Sequence, residues 1–428
     1  MKSNLRLPSV LGLGIVLAIA SSAYASPFKV IYTFGTSGSS DASLPGGGLI
    51  MDGAGNLYGT AVGGGAHGGG TVFELTPSAN GDWTEKVLYS FSGIADGGGP
   101  LGGVVLDAKG NLYGTTQQGG MFSSGTCSAG CGVAFELVPS ETGWTERLLH
   151  TFTGGTDGGT PDNALILDDK GNLYGTTYNG GAGDCTYGCG VVFELVRTEQ
   201  WSENVLHSFE GNPDDGANPA SALVFDGSGN LFGTTVNGGH TFLGGGAPGT
   251  VFELTAASDG TWNEAIIHNF CSNYDCSDGN LPEAGVTLRG NRIYGTTING
   301  GGAGPYGGVY ELAQTASGWQ LTASAFDLTN GAQPMAPVLL HGELQYGVTQ
   351  QGGIVNGACG LYPNGNGVVF EVAQNKQALN ETVLYSFTGG NDGCGPTGGL
   401  VADAAGNLYG TTFNGGSSGS GVAFEVTP

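Results

Sequence analysis

The chain has 428 residues, 86 of them glycine, and carries 11 Lys or Arg against 36 Asp or Glu. Its 39% of apolar residues is enough for a packed core, which excludes a disordered polar chain, and glycine without a Gly-X-Y period excludes collagen. The acidic balance repels nucleic acid and anionic lipid and leaves cations and neutral or basic partners open.

In chain order, the first segment reads as a secretory signal. Lys2 and Arg6 precede an apolar run from Val10 to Ala20, and Ala23-Tyr24-Ala25 is a small-residue cleavage site. Residues 1–25 are therefore expected to be removed, leaving 26–428 as one secreted domain. A membrane anchor is the alternative, but the run falls short of the roughly 20 residues a span needs. Without Lys2 and Arg6, nine basic residues face 36 acidic ones, a formal charge of −27.

Three phrases then recur seven times. Gly-Asn-Leu-Tyr-Gly-Thr-Thr places its aromatic at Tyr58, Tyr113, Tyr174, Phe232, Tyr294, Tyr346 and Tyr409. Val-Phe-Glu-Leu follows, with Glu74, Glu136, Glu194, Glu253, Glu311, Glu371 and Glu425. A third phrase, Trp-x-Glu-x-Val-Leu-x-Ser-Phe, closes on Phe34, Phe91, Phe152, Phe209, Phe270, Phe326 and Phe387. Each phrase is short, alternating or rich in aromatic and branched residues, as strands are. A short apolar strand precedes them, as in Gly103–Asp107, and an Asp-x-x-Gly-Asn turn joins it to the next. Four antiparallel strands per repeat of roughly 58 residues predict an all-β, seven-bladed β-propeller. A parallel β-helix, the alternative, would have shorter coils and no tight hairpins. The opening segment, Phe28 to Phe34, is a fourth-strand phrase, and Val422 to Val426 is a third-strand phrase. The N-terminal strand is thus expected to complete the last blade.

These phrases resemble the tandem repeats of secreted bacterial GloVer-repeat proteins, and the resemblance spans nearly all of residues 28–428. It implies export and a repeat architecture; it brings no activity.

Eight cysteines in an exported chain suggest disulfides. Their positions pair as Cys127–Cys131, Cys185–Cys189, Cys271–Cys276 and Cys359–Cys394. Zinc thiolates are the rival, but there is no Cys-x-x-Cys and no His at zinc-ligand spacing.

Propeller topology puts the long loops after each second strand on the same face as the blade-to-blade links, so a site is expected there. The links carry Asp/Asn-x-x-x-Pro, from Asp41 with Pro45 to Asp392 with Pro396. A ring of carboxylates could take Ca²⁺; a turn in which Asp bonds its own backbone is the favoured reading, and no metal or cofactor is assigned. The Glu of Val-Phe-Glu-Leu is read as a repeated structural hydrogen bond or a solvated strand face. His150, His207 and His268 occupy one repeat position shared with Tyr32, Tyr89 and Tyr385, a packing position. No nucleophile elbow or phosphate loop is present, and no acids are seen to break the repeat; Asp184 and Asp275 come nearest.

The loops start with an amide: Gln118, Asn179, Asn237, Asn299, Gln351 and Asn414, with Val62 at the first copy. Irregular aromatics follow at Phe122, Tyr187, Phe242, Tyr306 and Tyr362. Amides with aromatic faces suit a neutral glycan, the rings on apolar sugar faces and the amides on hydroxyls. The plain alternative is turn formation and loop packing. The expectation is a glycan- or protein-binding module, against a structural matrix protein or a polysaccharide lyase or glycoside hydrolase.

Overall fold

The computed structural model describes residues 27–121, 127–211, 214–240, 248–273, 275–301, 304–375 and 378–428. The expected signal segment lies outside them, as do Phe122 and Phe242.

The described residues form seven antiparallel sheets in a ring, a seven-bladed β-propeller. Blade 2 is typical: Val105–Leu106 nearest the axis, then Leu112–Thr116, Val133–Ser140 and Gly143–Thr151 outward. Blade 7 closes as the phrases predict. Phe28–Thr33 pairs antiparallel with Val422–Val426, Phe28 opposite Val426 and Thr33 opposite Val422.

Two repeated contacts join each blade to the next. The phenylalanine that ends each fourth strand packs on the third-strand aromatic of the following blade. The pairs run from Phe34 with Phe73 and Phe91 with Phe135 to Phe387 with Phe424, ring centroids 4.9–5.2 Å apart. That second ring lies over the glycine of Tyr-Gly-Thr: a Cβ on Gly59 would stand 2.6 Å from Phe73, and one on Gly114 2.6 Å from Phe135. The glycine of this phrase thus makes room, within its own blade, for the ring that carries the interblade contact.

The second contact is in the link. The residue before each link proline has a left-handed φ: Leu44 60°, Gly99 61°, Thr160 57°, Asn218 56°, Leu281 54°, Gln333 54° and Gly395 62°. This is costly for a side chain bearing a Cβ and more so before proline. It is held because its N–H donates to the preceding blade in all seven cases: Leu44 to Ser420 O, Gly99 to Gly69 O, Thr160 to Cys131 O, and so round to Gly395 on Asn366 O, at 2.6–2.9 Å. The proline ring then fills a space that only glycine leaves open. A Cβ on Gly132 would meet Pro161 Cδ at 2.8 Å, and one on Gly421 would meet Pro45 Cδ at 2.9 Å.

A third tie lies near the axis. Thr60, Thr115, Thr176, Thr234 and Thr296 donate their hydroxyls to the next blade's inner-strand region, at Gly102, Asn163, Ser221, Ala284 and Ala336.

The four disulfides join Cys127 to Cys131, Cys185 to Cys189, Cys271 to Cys276 and Cys359 to Cys394. The last links the long loop of blade 6 to the link entering blade 7.

Two outcomes follow. Because β-branched Thr160 sits in a left-handed conformation, Thr160→Gly should hold or raise the melting temperature, by up to about 1 kcal/mol of relieved strain, while Thr160→Ala should not. A clear fall in Tm for the glycine variant would contradict this. Chain-entropy estimates assign about 3–4 kcal/mol to the Cys359–Cys394 loop and about 2 kcal/mol to each short loop. Replacing Cys359 and Cys394 by Ser should therefore lower Tm more than replacing Cys127 and Cys131, as read by thermal melts under oxidising conditions.

Candidate functional site

The repeated polar residues are spent on the frame. Asp96 accepts from the N–H and hydroxyl of Ser92 and from Tyr89, and Asp392 does the same with Thr388 and Tyr385. Asp157 and Asp278 take His150 and His268 in place of tyrosine. The link carboxylates thus close turns, as the favoured reading expects, and the three histidines pack edge-on against Phe152, Phe209 and Phe270. The Glu of Val-Phe-Glu-Leu takes a structural hydrogen bond: Tyr113 donates to Glu136 at 2.9 Å and Tyr174 to Glu194 at 2.7 Å.

Against the link carboxylates stands a second carboxyl from the fourth strand. Burial, then Asp96, raises Glu146 to about 7; burial, then Asp41, raises Glu85 to about 8. Glu146 Oε1 is sealed without a hydrogen-bond partner.

The loop amides tie loop to link. Their backbones bridge the link, as Gly98 with Gln118 and Gly159 with Asn179. The side chains of Asn179, Asn237 and Gln351 donate to Thr160, Asn218 and Gln333, the left-handed residues of the same blades. The Asn299 amide, turned to its donor orientation, faces Ile298 O and Pro305 O, and Gln118 is exposed. Only Asn414 meets one of the aromatics, accepting from the Tyr362 hydroxyl at 3.3 Å. Tyr362 lies directly over Gly395, where a Cβ would come within 2.4 Å of its ring. Tyr306 packs beside the blade 5–6 core and its carbonyl receives Gln333 N–H, whereas Tyr187 is 53% exposed. The structure therefore brings Tyr362 and Asn414 together and leaves the other described amides and aromatics apart.

The departures from the repeat gather elsewhere, just after the link proline. That position holds Gly46, Leu101, Asp162, Ala220, Glu283, Met335 and Thr397. It faces inward: a Cβ on Gly46 would meet Leu101 Cδ1 at 2.7 Å and Phe413 at 3.6 Å, which brings blades 1, 2 and 7 together. Glu283 of blade 5 acts by its charge on Asp162 of blade 3, with the Gln117 amide hydrogen-bonded to Asp162 and Tyr178 within the field of both acids. Asp162 is raised to about 7, chiefly by burial, against the lowering effect of the Gln117 amide and with a smaller push from Glu283. Burial also raises Glu283, and burial with these two acids raises the Tyr178 hydroxyl. Asp162 Oδ1 and Asn163 Nδ2 are sealed and unpartnered, and among the described residues neither acid has an ion pair.

Asp162 and Glu283 correct the expectation that no acids break the repeat. The signal was present: the residue after the link proline is acidic in two copies and uncharged in five. Asp184 and Asp275 do not join this group; Asp275 closes a local turn on Ser277 N–H.

A family model for the Gloeobacter/Verrucomicrobia repeat matches residues 127–304 and 243–428. The chain belongs to that repeat family. The expected GloVer resemblance is thereby borne out. No curated protein matches the chain. Similar solved structures include a protein from Thermus thermophilus described as an oxidoreductase of glucose dehydrogenase type, 11% identical over 94% of this chain and 100% of that one, TM-score 0.44. Another is the PQQ-bound form of an aldose sugar dehydrogenase from Streptomyces coelicolor, 14% identical over 94% of this chain and 98% of that one, TM-score 0.41.

The sealed fourth-strand acids carry a pH dependence. Glu146 titrates higher in the fold than the roughly 4.3 of a free side chain. The fold thus holds a proton that the unfolded chain has released, and the stability this gives is present below about pH 4 and lost as pH rises through about 7. Glu146→Gln, which keeps the shape without the charge, should match the parent near pH 4 and melt a few degrees higher at pH 8. Equal melting at both pH values would refute the assignment.

Proposed function

We propose that this family member is an exported binding module that holds a neutral glycan at the link-face mouth of its central channel. The observation that carries the reading is the placement of Asp162, Glu283, Tyr178 and Gln117: varied polar side chains, from three blades, on a backbone frame that does not vary. Donors and acceptors without basic partners match hydroxyl groups better than they match anions. A carboxyl raised to about 7 is present in both protonation states near neutrality and can donate or accept. Tyr362 with Asn414 supplies an aromatic edge and an amide on the rim. Four disulfides support an oxidising compartment, and among the described residues no helix is long and apolar enough to cross a membrane. The charge of the chain argues against nucleic acid as partner.

A second reading rests on the same acids. Two carboxyls that sense each other's charge, one of them raised to about 7, are the kind of pair that glycoside hydrolysis uses as acid and base.

Titration calorimetry with a panel of neutral oligosaccharides, alongside assay of new reducing ends, separates the two. For a binding module, Asp162→Asn and Tyr178→Ala should weaken binding about tenfold, at unchanged melting temperature, with no release of sugar by the parent protein. Turnover that Asp162→Asn abolishes while binding persists would make the protein a hydrolase. Absence of binding to every neutral glycan would end the proposal.

A further inference from the structure

The fourth-strand and link carboxyls recur, but their third partner does not. At several blades the link aspartate lies between an outer residue of the preceding blade and a residue of its own fourth strand; at blade 6 the link residue is Asn330. At blade 1 these are Tyr32, Asp41 and Glu85. At blade 5 they are His268 and Asp278, but Leu321 occupies the strand position, opposite Leu312 as Glu264 is opposite Leu254. Blade 7 brings Tyr385 to Asp392. Among the described residues, a histidine, an aspartate and a glutamate come together in this way only at blades 3 and 4.

At blade 4 the three are His207, Asp215 and Glu264, with one donor atom from each within 4.8 Å of the others. His207 Nε2 stands 3.4 Å from Asp215 Oδ1. Asp215 is buried, at 7% exposure, and Glu264 Oε1 is sealed from solvent without a hydrogen-bond partner. At blade 3 the corresponding Asp157 is satisfied by the N–H and hydroxyl of Thr153 as well as by His150. At blade 4 the residue in Thr153's place is Glu210, which offers Asp215 its N–H at 2.7 Å but has no hydroxyl. The capping hydroxyl that completes Asp96, Asp157 and Asp392 is thus absent here, and Asp215 Oδ1, the oxygen nearest His207, accepts from Gly216 N–H at 2.6 Å instead.

We infer that His207, Asp215 and Glu264 form a binding site for a divalent transition-metal ion of the zinc type, bridging blades 3 and 4. Imidazole nitrogen with two carboxylate oxygens is a zinc donor set, with bonds of about 2.0–2.2 Å. Donors around such a tetrahedral ion lie about 3.3–3.6 Å apart, so the three side chains, within 4.8 Å of one another, would draw in around it. A dication with two carboxylates and a neutral imidazole leaves the buried site uncharged. Since His207 ends blade 3 and Glu264 belongs to blade 4, the ion pins two blades together.

Chelator-treated protein is titrated with Zn²⁺ by calorimetry, and its melting temperature is followed with and without the ion. Co²⁺ replaces Zn²⁺ for the absorption spectrum. The informative variant is His207→Tyr, because tyrosine is the repeat's own alternative at this position in Tyr32, Tyr89 and Tyr385. The parent should bind one equivalent with a rise in Tm, and His207→Tyr should lose at least tenfold in affinity together with that rise. Glu264→Gln, tested in parallel, should show the same loss if the tyrosine variant folds poorly. The inference is overturned if the parent binds no Zn²⁺ at micromolar concentrations. It is equally overturned if both variants bind as the parent does, or if His150→Tyr, at the blade 3 group, is the change that removes the equivalent.

Discussion

Every blade depends on one left-handed residue at its link, and in five of the seven that residue carries a Cβ. A side chain in a left-handed conformation just before a proline is opposed by its own Cβ and by the ring that follows. Here that conformation is imposed from both sides. The N–H reaches back to the preceding blade, and in six blades the carbonyl receives an N–H from the loop of its own blade, as Thr160 O does from Tyr178 and Gln333 O from Gln350. Neither neighbour can shift without releasing the other, so blade order and spacing are fixed at the link while most of the hydrophobic core lies further out. The five non-glycine copies show that the frame, not local preference, decides the backbone.

This explains why so acidic a chain folds with so few cations. Many of its carboxylates are satisfied by neutral donors: Tyr113 and Asn111 on Asp107, Thr388 and Tyr385 on Asp392, backbone N–H groups at turns. Lysine and arginine are used sparingly, as where Arg292 meets Glu311 and replaces the tyrosine contact of other blades. Hydrogen bonds of this kind survive salt better than surface ion pairs, which are screened.

The strands, the closure by Phe28–Thr33 and all four disulfides were legible because each rests on a local pattern repeated seven times or on spacing. The candidate site was not. Asp162 and Glu283 lie in blades 3 and 5, 121 residues apart in the chain, and only the ring brings the charge of one to bear on the other. The structural ties of the amide series were hidden for a related reason. Asn179 and Gln351 look like lining residues in sequence, but their partners, Thr160 and Gln333, sit about 18 residues earlier in conformations that no sequence pattern announces. His207 and Glu264 likewise become a pair only once the blades are laid side by side.

The pairing that closes blade 7 also sets how the molecule responds to force. The chain enters the ring at Pro27 beside the point where it leaves, with Thr427 N–H bonded to Pro27 O and Phe28 opposite Val426. A pull applied to both ends would act at the same end of one antiparallel pair and peel its hydrogen bonds one after another. Pulling from one end and from a ligand at the channel mouth would instead load many links at once. A protein of this shape is a weak strap between two attachments and a firm anchor when held by a single tether.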